Sequence, residues 1–280
     1  MNTAAFDYQR ATSLDDALAA IAGGDAKVLA GGMSLLPLMK LGLAQPGKLV
    51  DIGGLSELRA LGPTADGGYE VGALATYADV LASAPTGISR ECISDIGDIQ
   101  VRNRGTVGGA LSHADPASDL PALALALGYE FVLRSTRGER TVDADGFFTG
   151  AFTTVMEPDE LFIKGVRGPL PDGAGGAYRK LENPASGYSI VGVAAVVAAS
   201  GGSVTHARVA LTGVGEVAYR AKAVEAALLG SDGSPDAVAA AAEHATEGQT
   251  VNSDIHADRE YRARMAVVHT RRAVEAALGR

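Results

Sequence analysis

The chain has one cysteine, Cys92, and no tryptophan among its 280 residues. A lone thiol excludes an internal disulfide. It also excludes an iron–sulfur cluster held by this chain alone, because such clusters need several thiolates. Positive charge is short: 24 Lys and Arg stand against 33 Asp and Glu, a formal net charge of −9, which argues against a nucleic-acid or anionic-membrane surface. Long apolar runs are missing too. The longest, Ile190–Ala199, is too short to span a bilayer, so no membrane span is expected. The opening residues Met1-Asn2-Thr3-Ala4-Ala5-Phe6-Asp7 have neither a basic segment nor an apolar one, so no secretory signal is expected. A cytoplasmic, reducing location fits these absences.

Familiar catalytic signatures are absent as well. No G-x-G-x-x-G follows an apolar strand, which removes the Rossmann fingerprint. Gly42-Leu43-Ala44-Gln45-Pro46-Gly47-Lys48-Leu49 imitates a P-loop. However, Leu49 stands where magnesium needs a hydroxyl, and Pro46 removes a donor N–H. Asp143-Ala144-Asp145-Gly146 opens like a calcium loop without the closing Glu. Ser34 lacks the flanking glycine of a nucleophile elbow. His113, Asp115, Ser118 and Asp119 crowd one stretch, whereas a catalytic triad is assembled from separate elements. They read better as a turn at Asp115-Pro116 followed by a helix capped by Ser118. His206, His244, His256 and His269 show no metal-ligand spacing and read as surface or packing residues. No metal site is expected.

What the chain does have is glycine, 36 residues of it, and two diglycine loops without a charged side chain: Leu29-Ala30-Gly31-Gly32-Met33-Ser34 and Gly105-Thr106-Val107-Gly108-Gly109-Ala110. Paired glycines let a backbone approach a ligand with no Cβ in the way, and successive N–H groups in such a turn suit a phosphate oxygen. Either loop alone reads as a plain turn. Each carries a hydroxyl, Ser34 or Thr106, that would add a phosphate hydrogen bond, and together they would suit the two halves of a pyrophosphate, hence a dinucleotide.

Periodicity places the loops. Ser13 and Asp16 start a helix that Gly23-Gly24 ends. Lys27–Ala30 is a strand running into the first loop, Leu35–Leu43 a helix and Leu49–Ile52 a strand. Further on, Tyr69–Ala75 reads as a strand and Tyr77–Ala84 as a short helix. A longer helix is predicted over Ile88–Val101, then Ser118–Leu127 as a helix and Tyr129–Arg134 and Leu161–Val166 as strands. Pro169, Pro171, Gly173, Gly175 and Gly176 form the clearest linker. Beyond it lie three strands (Ala177–Leu181, Ile190–Ala198, Val204–Gly213) and three helices (Ala221–Leu229, Pro235–His244, Arg259–Leu278). Two domains are therefore expected, 1–175 and 176–280, in an α+β chain.

Three segments carry a family resemblance: Ala30-Gly31-Gly32-Met33-Ser34-Leu35-Leu36-Pro37-Leu38-Met39-Lys40, Val101-Arg102-Asn103-Arg104-Gly105-Thr106-Val107-Gly108-Gly109 and His113-Ala114-Asp115-Pro116-Ala117-Ser118-Asp119-Leu120-Pro121. They resemble the flavin loops of the FAD-binding medium subunits of molybdenum hydroxylases, the family of carbon monoxide dehydrogenase medium chains and the xanthine dehydrogenase FAD domain. The resemblance covers essentially the whole chain. It implies a two-lobed FAD-binding domain of the para-cresol-methylhydroxylase type, followed by a small C-terminal domain with a three-stranded antiparallel sheet and three helices. It also implies FAD as cofactor, held by Leu29, Ala30, Gly31, Gly32, Met33 and Ser34 and by Thr106, Val107, Gly108, Gly109 and Ala110. Asp119 matches an acidic cofactor-binding residue, Phe162 an apolar position against the dinucleotide, Lys180 a lysine near the isoalloxazine and Tyr188 an aromatic that shields one ring face. No catalytic residue is implied in this chain.

Two positions depart from the family: Ala110 stands where many relatives have Asn, Ser or Asp, and Met33 replaces a common polar residue. Both still contribute backbone N–H groups. The implied partners are a small subunit with two [2Fe–2S] clusters, a large molybdopterin subunit and an external electron acceptor. The chain would pass electrons from the clusters through FAD to that acceptor, within a hetero-oligomer. A stand-alone FAD-dependent oxidoreductase and a non-redox nucleotide-binding module are the alternatives.

Overall fold

The computed structural model describes residues 3–83 and 86–280, so Met1, Asn2, Pro85 and Ala84, the predicted end of one helix, lie outside the described residues. The first lobe is a three-stranded parallel sheet in the order Asp7–Arg10, Lys48–Asp51, Ala26–Leu29. Its helix, Leu14–Ile21, starts where Ser13 Oγ accepts from the Asp16 N–H at 3.1 Å. The Asp16 carboxylate turns back to the Thr12 N–H at 2.9 Å, one residue earlier than in a capping box. Ala17, Leu18 and Ile21 bury the inner face. The first diglycine follows the Ala26–Leu29 strand after one residue, Ala30, and a short helix, Leu35–Lys40, follows the loop.

The second lobe is a five-stranded antiparallel sheet, ordered Leu61–Pro63, Tyr69–Gly72, Leu161–Arg167, Glu130–Ser135, Gly138–Asp143. Register shifts between Phe162 and Lys164. The bulged Ile163 carbonyl instead accepts from Ala73 N at 2.9 Å, which fixes the Ala73–Ala75 backbone onto which the second diglycine loop docks. Phe131, Phe147, Phe148 and Phe162 meet as one aromatic cluster behind this sheet, with ring centroids 4.7 to 6.3 Å apart. The single helix predicted over Ile88–Val101 is in fact two, Gly87–Ser94 and Ile99–Arg102. Gly97 takes φ +54°, a left-handed conformation that stops the first helix, and Asp98 caps the second by accepting from Val101 N at 2.8 Å. The apolar spacing runs on across this break, which is why periodicity alone joins the two.

The C-terminal sheet has four strands rather than the three predicted: Gly175–Glu182, Ser189–Ser200, Ser203–Thr212 and the two-residue Tyr219–Arg220, which pairs with Ala210 and Leu211. A strand that short shows no alternation in sequence. The near-continuous apolar run Ile190–Ala198 arises because both faces of its strand are buried. Val191, Val193, Ala195 and Val197 face the C-terminal core with the helices Lys222–Leu228, Pro235–Ala242 and Arg259–Ala277. Ala194 and Val196 join the core of the N-terminal half. Between the halves lies the helix Asp119–Leu127, buried at every position. Ser118 occupies its N-cap position, but contrary to the sequence reading its side chain makes no capping bond. The Ser118 carbonyl instead accepts from Thr212 Oγ1 at 2.8 Å. Among the described residues no helix is long and apolar enough to cross a membrane.

Candidate functional site

The two diglycine loops, 70-odd residues apart in sequence, touch. A Cβ on Gly31 would overlap the Arg104 carbonyl and lie 3.2 Å from Gly105 Cα. Only a glycine permits this backbone-to-backbone approach. Gly32 next to it takes φ +76°, a left-handed conformation that favours glycine. Among the described residues nothing accepts from the N–H groups of Gly31, Gly32, Met33 and Ser34, and Ser34 makes no capping bond. Backbone donors left without a partner in this way call for a ligand or solvent. Met33 is exposed, Gly32 and Ser34 are half-buried and Gly31 is buried.

The second loop is built differently. Val107 N donates to Ala75 O at 3.0 Å, Gly108 N to Ala73 O at 2.9 Å, and Ala110 N to Thr106 O at 3.0 Å. Thr106 Oγ1 accepts from Gly109 N at 3.2 Å, capping the helix Val107–His113. Its amides are therefore engaged internally. What this loop offers is the remaining hydroxyl proton of Thr106 and a close approach at the exposed Gly109. Gly108 packs against Ala73, where an added Cβ would sit 2.8 Å from the Ala73 Cα. The buried cap gives a direct test. Thr106→Ala loses about 1–2 kcal/mol of stability, seen as a lower urea midpoint, while Thr106→Ser, which keeps the hydroxyl, loses less.

From the loops the site continues through Tyr77 into the C-terminal half. The Tyr77 ring lies against Gly105, where a Cβ would come within 2.7 Å of Cε2. Burial, then the nearby Tyr188, Asp119 and Cys92, push the Tyr77 hydroxyl far above its ordinary range. Lys180 and Asp119 are brought together rather than presented separately: Nζ and Oδ2 are 3.0 Å apart, with the side chains 4% and 5% exposed. The other carboxylate oxygen accepts from Tyr178 Oη at 2.5 Å and Ser189 Oγ at 2.6 Å. Lys180 also donates to the Asp95 carbonyl at 3.2 Å. Burial raises the Asp119 pKa against the opposing pull of Lys180 and the two hydroxyls. Tyr178 and Ser189 were missed by sequence reasoning. The signal lay in register, because Tyr178 sits two residues before Lys180 on one face of the Gly175–Glu182 strand.

Tyr188 stands at the end of the Asn183–Tyr188 turn, held by Asn183 N donating to Tyr188 O at 2.8 Å, and is 45% exposed. It is thus available to a ligand face, unlike Phe162, whose side chain is buried in the aromatic cluster 5.2 Å from Phe131. Leu29 and Ala30 close the strand end beneath the first loop and are half-buried. His113 is half-buried against the Phe152 ring, its pKa lowered by burial.

The sequence and the fold are similar to those of known proteins. Residues 4–171 match the family described as the FAD binding domain in molybdopterin dehydrogenase. Residues 176–277 match the CO dehydrogenase flavoprotein C-terminal domain. The carbon monoxide dehydrogenase medium chain of Hydrogenophaga pseudoflava is 40% identical, with 98% of each chain covered. The glyceraldehyde dehydrogenase medium chain of Sulfolobus acidocaldarius is 36% identical over 96% of each. Among solved structures, a carbon monoxide dehydrogenase from H. pseudoflava superposes with a TM-score of 0.96 at 40% identity, covering 100% of this chain and 99% of that one. Four unengaged amides beside a glycine contact suit the pyrophosphate of the FAD that the family binds. The chain belongs to the FAD-binding medium subunits of the molybdenum hydroxylases, and is a flavoprotein oxidoreductase subunit.

Proposed function

We propose that this chain is the electron-exit component of a molybdenum hydroxylase complex. Electrons come from [2Fe–2S] clusters in a small partner subunit, fed by a molybdopterin large subunit, and leave through FAD to an external acceptor. The single thiol supports this division: Cys92 is fully buried, and burial holds it well above the ordinary thiol pKa. The names of the relatives support it too. Chains 36–40% identical to this one belong to dehydrogenases of carbon monoxide and of glyceraldehyde, substrates with no shared shape. What such medium chains have in common is the flavin part, and substrate choice belongs to another subunit.

The observation that carries the site assignment is the row of unengaged amides at Gly31–Ser34. These N–H groups take the pyrophosphate oxygens, and charge-assisted bonds of this kind need no lysine. Thr106 adds its hydroxyl proton. Val107, Gly108, Gly109 and Ala110 form the opposite wall, while Leu29 and Ala30 floor the first loop. Tyr188 covers one face of the ring system. Asp119 and Lys180 act as a neutral pair that fixes the strand carrying Lys180 against the helix start. Phe162 acts from the core by supporting the central strand of the five-stranded sheet. When bound, FAD supplies the capacity to take up and release reducing equivalents.

The two halves follow the division 1–175 and 176–280. Purified chain is expected to show flavin absorbance at about 450 nm and to co-purify with iron- and molybdenum-containing partners. Protein without flavin would defeat the site assignment. Flavin-bearing protein fully active without partners would instead favour a stand-alone oxidoreductase.

A further inference from the structure

The central helix Asp119–Leu127 turns one face, Leu120, Leu123, Ala124 and Leu127, into a cavity of about 40 Å³. These residues follow the i, i+3, i+4, i+7 spacing of a helical stripe, and Ala124 is the one small side chain in the row. Val71 and Phe131 of the five-stranded sheet line the cavity too, with Val80, Ile93, Val107 and Leu111 from three neighbouring helices. Among the described lining residues only Tyr129 falls short of full burial.

This cavity is separate from the cofactor site. Gly31–Ser34, Asp119, Lys180 and Tyr188 contribute nothing to its lining. Of the two diglycine loops only Val107 reaches it, through a side chain buried at the start of the Val107–His113 helix. The cavity belongs to the apolar core of the N-terminal half.

Water finds no hold there. The polar groups on the wall are Ser89 and two tyrosines, and each is engaged elsewhere. Ser89 Oγ pairs with Thr86 Oγ1 at 2.7 Å, and Tyr69 Oη with Ser83 Oγ at 3.0 Å. The Tyr129 hydroxyl lies beside Arg167. A buried water needs two to four polar partners, so the volume stays dry although it exceeds the roughly 10–15 Å³ that one water requires. An empty void in a close-packed interior forfeits dispersion contacts, and an apolar guest restores them. Size then selects the guest. Apolar cavities of about 150 Å³ admit benzene, whereas one of about 40 Å³ is too small for a ring.

We propose that this cavity binds a small non-polar gas molecule of the size of dioxygen, which enters past Tyr129. Leu111, Leu123, Ala124 and Phe131 hold it by dispersion, and no hydrogen bond takes part. The guest is recognised by the core and not by the cofactor site, so the assignment stands independently of the flavoprotein reading above.

Xenon and dioxygen serve as probes on the full-length, FAD-loaded chain, read by the methyl resonances of its Val, Leu and Ile residues. Xenon added under pressure is expected to shift the methyls of Val80, Leu111 and Leu123 saturably, while those of Val191 and Val209 in the C-terminal core stay in place. Dioxygen, which is paramagnetic, is expected to broaden the same three residues. Ala124→Val, which adds bulk to the wall, is expected to weaken xenon binding about tenfold. Val80→Ala, which enlarges the cavity, is expected to tighten it about threefold, and it keeps the test decisive should Ala124→Val fail to fold. Shifts without saturation, shifts shared equally by the C-terminal core, a cross-peak from bound water to these methyls, or xenon affinity unchanged in every variant that folds would overturn the proposal. Flavin absorbance recorded on the same samples keeps this outcome apart from failure of the flavoprotein reading: a flavin-free chain that still binds xenon at these methyls leaves the cavity assignment standing.

Discussion

Asp119→Ala lowers the stability of the chain by about 3–5 kcal/mol, the range for breaking a buried ion pair from one side. The loss has three identifiable parts. The Lys180 ammonium, 4% exposed, is left with the Asp95 carbonyl as its remaining partner. Tyr178 Oη loses its 2.5 Å acceptor, and Ser189 Oγ its 2.6 Å one. Lys180→Met alone is costly for the converse reason, a carboxylate buried without its cation. The combination Asp119→Asn with Lys180→Met removes both charges and keeps an acceptor for the two hydroxyls, so it recovers most of the loss. Urea unfolding of the wild type, Asp119→Asn, Lys180→Met and their double variant gives the coupling directly. Additive single effects would mean that the two groups do not act as a pair.

The pH dependence follows from the direction of the shift. The Asp119 pKa is raised in the folded chain, with burial as the leading cause. The native state therefore binds the proton more tightly than the unfolded chain does. Its contribution to stability is fully present below the ordinary carboxylate value of 3.8 and is lost as pH rises through the raised folded value. Wild-type stability accordingly carries a downward component with rising pH across this interval, and Asp119→Asn lacks it. A pair whose carboxylate resists ionisation adds little net stability. Its effect is to set position, locking the Gly175–Glu182 strand to the start of the Asp119–Leu127 helix.

Much of this was legible in the sequence, and what was not has physical reasons. The diglycines were visible because they stand out from the apolar runs beside them, and the linker because proline and glycine cluster there. The contact between the loops was not visible. It depends on Arg104, whose carbonyl rather than its side chain meets Gly31, and a backbone atom leaves no trace in residue type. Asp119 and Lys180 were each singled out, yet their pairing at 3.0 Å joins elements 61 residues apart. The expectation that both loops present free amides held for only one. Thr106 and Gly109 look like a phosphate grip, but the same residues are a helix cap, and the two uses share one residue pattern. The split at Gly97 was hidden because φ +54° is available to a glycine that sequence shows as one helical position among others.

Gly31→Ala is expected to abolish FAD retention by the purified chain. The added Cβ would overlap the Arg104 carbonyl and crowd Gly105 Cα at 3.2 Å. Both are backbone atoms, so no rotamer change relieves the clash and the loops must part. Overpacking against a flexible side chain costs about 1–3 kcal/mol, and a rigid neighbour puts this variant at the upper end. The larger effect is on binding. Parting the loops turns the Gly31–Ser34 amides away from the Thr106 hydroxyl, and loss of two charge-assisted hydrogen bonds at about 1.5–3 kcal/mol each weakens FAD by about a hundredfold or more. Gly47→Ala is the matched control: an added Cβ there meets nothing within 4 Å, so flavin content and unfolding midpoint stay at wild-type values. Absorbance at about 450 nm per chain, measured after gel filtration, reads both. If Gly31→Ala retained a full complement of flavin, the contact between the loops would not be what holds the pyrophosphate site together, and the four unengaged amides would need another ligand.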